Sequence, residues 1–123
     1  MLIEAAIVLP LIVLLLFAVL EYGWLFMKFQ HVTNAARQGA RAGARADGTS
    51  ADVTTEVQDS LNAQEITTYT LTLSPTDAAA LSTGDPLTVT VQVPYSNIAL
   101  TGFALLPLPV NLRASVTMAK EGP

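Results

Sequence analysis

The chain has 123 residues, a net charge of −4 and no cysteine. That length holds one small domain beside a long helix, and the missing cysteines exclude a disulfide framework, a thiolate metal site and a cysteine nucleophile. Charge is unevenly placed: through Ala46 the basic Lys28, Arg37, Arg41 and Arg45 stand against Glu4 and Glu21, whereas from Asp47 onward eight acidic residues face only Arg113 and Lys120. An acidic outer domain argues against nucleic acid as a partner.

Met1–Lys28 is the dominant stretch. From Ala5 to Leu20 it carries no charged or strongly polar side chain. Counting on to Met27 supplies the roughly 20 residues that cross about 30 Å of hydrocarbon. Tyr22, Trp24 and Phe26 then cluster before Lys28, as amphipathic rings do at a membrane–water boundary. Glu4 is the anomaly in this segment. Either it is hydrated at headgroup level, or it pairs with a cation, the nearest candidate being a free α-amino group of its own or of a neighbouring subunit. Glu21 is the weaker case, because water reaches the aromatic belt. Pro10 removes one intrahelical donor, so a kink or a local repair is expected there.

The helix is predicted to continue past the membrane to about Ala46, a length of about 69 Å. Arg37, Arg41 and Arg45 share one face. Ala35, Gly39 and Gly43 recur at the same spacing on another. Each glycine costs a helix about 0.8–1.0 kcal/mol relative to alanine, so close packing is expected in compensation. That packing is against the chain's own sheet, against helices of other subunits, or both at different levels.

Asp47-Gly48-Thr49-Ser50 reads as a helix stop followed by a cap. A second helix is predicted from Ala51 to about Asn62, with Val53, Val57 and Leu61 as its apolar stripe. Three alternating strands follow: Tyr69, Leu71 and Leu73; Leu87, Val89, Val91 and Val93; then Leu112, Ala114, Val116 and Met118 point one way. One apolar face per strand means a one-sided sheet covered by a helix. The predicted fold is α+β: a long N-terminal helix packed on a small antiparallel sheet of about three strands, plus one short helix. Residues 1–46 form the transmembrane and assembly helix, residues 47–123 the extracytoplasmic domain.

Pro75-Thr76-Asp77 opens a short helical turn, Gly84-Asp85-Pro86 makes a turn, and Pro94 stops the second strand. The connection SNIALTGFALLPLP is unusually apolar. Its Ile98, Leu100, Phe103, Leu105 and Leu106 read as satellite core, as a surface grazing the membrane, or, the reading favoured here, as an interface.

No catalytic or metal site emerges. His31 is a lone histidine near the boundary, a packed or interfacial residue rather than a base or ligand. Asp52, Glu56 and Asp59 share a helix face but gather no further ligand types, so they read as a solvated acidic surface. No P-loop, HExxH or G-x-S-x-G is present. No enzyme activity and no cofactor are expected.

IEAAIVLPLIVLLLF, then LEYG, then TNAARQGARAGA resemble the TadE-like family of pseudopilins from tight-adherence (Flp-type) pilus systems, within the wider type IV pilin group. The resemblance covers Met1–Ala46; beyond Asp47 only the pattern of elements is similar. It implies a prepilin whose short basic leader is cut by a prepilin peptidase, which agrees with an apolar run lacking a basic n-region. The new amine then lies near the family's Glu, matched here by Glu4. In the usual pattern that Glu sits one residue further from the cleavage site. The expected function is a pilin or pseudopilin, stored as a single-pass subunit of the inner membrane with its C-terminal domain outside. It then polymerises through its N-terminal helix into a cell-surface filament for attachment. Its partners are membrane lipid, the assembly machinery, and copies of itself or other pilins. The rival expectation is a membrane-anchored extracytoplasmic binding module.

Overall fold

A computed structural model describes residues 1–100 and 107–122. Its spine is a single helix, α1 (Leu2–Ala44), about 64 Å long. It runs unbroken through Pro10. After Gly48 the chain enters α2 (Ser50–Asn62), started by a reciprocal cap: the Thr49 hydroxyl accepts from the Asp52 N–H at 3.2 Å, and the Asp52 carboxylate accepts from the Thr49 N–H at 2.9 Å. These two bonds satisfy donors that a helix start leaves open. They also hold the Asp52 carboxyl below its ordinary pKa, the backbone bond from Thr49 being the main cause.

Three antiparallel strands complete the fold in the order β1-β2-β3: β1 (Thr70–Ser74), β2 (Pro86–Pro94) and β3 (Asn111–Ala119). The first strand is shorter than its alternation implies, starting at Thr70 and leaving Tyr69 outside it. Leu71 opposes Val91, and Val91 opposes Ala114, so the apolar sets of all three strands share one face. Across the other face Thr88 and Thr117 hydroxyls lie 2.8 Å apart, and those of Thr90 and Ser115 2.9 Å apart. Such cross-strand pairs stabilise a solvated face without burying it.

The C-terminal half of α1 lies over β2 and β3, with α2 against its flank. The core joins Val32, Ala35, Ala36 and Ala40 of α1 to Val53, Val57 and Leu61 of α2 and to Leu87, Val89, Val91 and Val93 of β2. The architecture is the α+β arrangement expected. The long helix therefore has two unlike parts: a C-terminal part built into the core and an N-terminal part, up to Leu20, that is almost wholly exposed.

Candidate functional site

The first half of α1 is a bare apolar rod. From Met1 to Leu20 every side chain is exposed except the half-buried Leu14 and Ala18. Leu2–Leu20 spans about 28 Å, close to one hydrocarbon thickness. Glu4 is exposed on this rod, with no partner among the described residues. Pro10 lies in the same exposed stretch.

The rod ends abruptly at Glu21, whose side chain is fully buried. This departs from the expectation of a hydrated carboxylate at an aromatic belt. The Tyr95 hydroxyl donates to Glu21 Oε1 at 2.9 Å. Burial, and then the neighbouring carboxylate, push the Tyr95 phenol well above its ordinary pKa. The belt itself is also turned to another use. The Tyr22 hydroxyl donates to the Pro107 carbonyl at 3.1 Å, and Trp24 Nε1 donates to the Ile98 carbonyl at 2.6 Å. Lys28 Nζ sits 4.7 Å from the Trp24 ring centroid and donates to the Gln64 carbonyl at 3.2 Å. These residues fasten the globular part to the helix, so the uninterrupted bare apolar length stops near Leu20 instead of reaching Met27. His31 is half-buried, and burial followed by the charge of Lys28 lowers its pKa. Its Nδ1 has no hydrogen-bond partner among the described residues.

Ala35, Gly39 and Gly43 face inward, into the chain's own fold. A Cβ at Gly39 would lie 2.5 Å from Val57 Cγ2, and one at Gly43 would lie 2.5 Å from both Leu87 Cδ2 and Val53 Cγ2. Of the two packing partners the sequence left open, the geometry at these glycines is that of α2 and β2 of the same chain. Arg37, Arg41 and Arg45 are exposed, and Arg41 and Arg45 border a polar cleft with Gln38 and Glu56.

In the apolar connection Ile98 is half-buried against the core and Leu100 is exposed. Phe103, Leu105 and Leu106 lie outside the described residues.

Two features were missed in reading the sequence. Lys120 is buried, and its Nζ donates to the carbonyls of Gly43 (3.0 Å), Gly48 (2.9 Å) and Ala78 (3.2 Å). A cation there satisfies the Gly43 carbonyl at the negative end of α1 together with two carbonyls beyond the helix. Alternation alone marks its neighbour Ala119 as outward and so hints that Lys120 turns in. The second is an open groove of about 500 Å³ beside the start of the packed half, lined by Tyr22, Leu25, Phe26 and Phe29 of α1 and by Leu112 and Arg113 of β3. Recurrence of the aromatic and leucine positions at i, i+3, i+4 and i+7 was its legible half.

Residues 1–41 match the model of a family described as TadE-like protein. Neither the curated proteins nor the solved structures give a match to this chain. The family match and the exposed apolar helix fit a component related to tight-adherence pili, and a single-pass membrane anchor is compatible with the same helix.

Proposed function

We propose that this chain is a structural subunit, a pilin or pseudopilin, of a type IV-like filament of the tight-adherence kind. The observation that carries the reading is the division of α1. Its second half is built into the core, and the bare half continues from it as one unbroken helix. A rod of that length is covered by lipid while the subunit waits in the membrane, with its globular part outside. Leaving the membrane exposes some 20 apolar residues to water, so the rod must bury itself against something else, and other rods are the matching surface. A prepilin peptidase and an assembly machinery belong to this reading, as do copies of the chain or other pilins. Glu4 then becomes the costly residue, because a carboxylate carried into an apolar bundle needs a cation.

The test is a comparison of membrane and sheared surface filaments from cells producing the tagged chain. Wild type is expected in both fractions. Glu4→Ala is expected to remain in the membrane but fall in the filaments by more than about tenfold, the effect of stranding one half of a buried pair. Absence of the wild-type chain from every filament would overturn the reading in favour of a membrane-anchored binding module. Equal incorporation of Glu4→Ala would show that Glu4 stays hydrated.

A further inference from the structure

The groove at the base of the rod has a defined shape and charge. Tyr22, Leu25, Phe26 and Phe29 present one apolar helical face, partly exposed, and Leu112 closes its far side. Its one charged lining residue is the exposed Arg113. The height of Arg113 along α1 follows from the course of the chain. The Pro107 carbonyl is held by Tyr22, and the Glu121 N–H donates to the Ala44 carbonyl at 2.7 Å. β3 thus climbs beside α1 in the same direction, and Arg113, early in that climb, borders the same groove as Phe26 and Phe29.

The rod offers the complement. Glu4 is the only charged side chain in its first 20 residues. Ile7, Val8 and Leu11, at i+3, i+4 and i+7 from Glu4, share its face and are exposed. The groove from Tyr22 to Phe29 is about 11 Å long, the length of two helical turns. We propose that it receives the first turns of a second copy's α1, running parallel, with that copy's Glu4 against Arg113. This rests on the filament reading above and gives Glu4 a guanidinium partner where the sequence offered only an α-amino group.

The geometry fixes the stagger. Placing Glu4 of one copy level with Phe26 of another displaces the two along their axes by about 33 Å. That is about one hydrocarbon thickness. Two subunits lying in the same bilayer are level with each other, so the rod of one cannot reach the groove of the other. The contact opens only when one copy has been lifted out of the membrane by its own thickness. A docking site out of register in the bilayer keeps stored subunits apart and engages them during extrusion.

The chain has no cysteine, which makes cross-linking a direct test in filament-forming cells. Ile7→Cys and Phe29→Cys are introduced together. Within one helix these positions are about 33 Å apart, whereas a disulfide needs Cα atoms within about 7 Å, so any bond between them joins two copies. Oxidised filaments are expected to give a ladder of covalent multimers through that pair, and oxidised membranes are not. In parallel, Arg113→Glu is expected to lower filament incorporation at least about tenfold, with Glu4→Arg in the same chain restoring most of it. Filaments that contain the doubly substituted chain yet show only bonds between like positions, or none, overturn the docking but leave the filament reading standing. A groove filled by phospholipid with no cross-link, or failure of the charge reversal to rescue, also overturns it. Absence of even the wild-type chain from filaments overturns both.

Discussion

Gly43 and Gly23 occupy the same helix and should respond oppositely to the same substitution. Replacing a helical glycine by alanine removes backbone freedom from the unfolded chain and gains about 0.8–1.0 kcal/mol where space allows. At Gly23 nothing lies within 4 Å of the added Cβ, so Gly23→Ala is expected to stabilise by about that amount. At Gly43 the added carbon would meet Leu87 Cδ2 and Val53 Cγ2, both at 2.5 Å. Those side chains belong to different elements and both are fully buried, so neither can swing away without disturbing the core. Overpacking of this kind costs about 1–3 kcal/mol. Two simultaneous contacts put Gly43 at the upper end, leaving a net loss of about 1–2 kcal/mol after the propensity gain. Gly43→Leu should prevent stable folding altogether. Denaturant titration of the full chain in mild detergent micelles, followed by tertiary-structure signals, measures both. If the alanine variants at positions 23 and 43 shift the midpoint in the same direction, the close-packing argument is wrong.

Lys120→Met should destabilise the fold by about 3 kcal/mol, because three buried carbonyls lose a charged donor; a thermal melt within 1–2 °C of wild type would refute this role. Tyr95, held protonated by burial and by Glu21, should not ionise in the folded chain as pH passes the ordinary tyrosine value of about 10. Its raised pKa contributes stability that is intact below that pH and is lost as pH climbs above it, when only the unfolded state gives up the proton. In ultraviolet absorbance titration its ionisation should coincide with unfolding, and Tyr95→Phe should abolish that step. Glu65 closes α2 with φ of 60°, its N–H bonded to the Asn62 carbonyl and the next N–H, of Ile66, to that of Leu61. Glycine suits that left-handed position better, so Glu65→Gly should raise stability by about 1 kcal/mol, read as a higher midpoint in denaturant.

Local pattern in the chain was enough to set the elements and their faces. A 43-residue helix, a short second helix and three strands were legible because helix and strand repeats depend on neighbours a few residues apart. The alternation of Val89, Val91 and Val93 with threonine and glutamine fixed which face met α1. The apolar rod was legible too, since nothing but composition is needed to see it. What the polar residues at the joints do depends on contacts between distant segments. Glu21 and Tyr95 are 74 residues apart, Tyr22 and Pro107 are 85, and Lys120 and Gly43 are 77. Local pattern read Glu21, Tyr22 and Trp24 as groups at a lipid–water boundary, because a lone helix would leave them there. Only closing the chain over those distances brings a tyrosine hydroxyl or a loop carbonyl to meet them, and the same closure brings Arg113 and Phe26 to one groove. Periodicity carries no information about such pairs: it says which side of an element is apolar, not which distant segment will cover it.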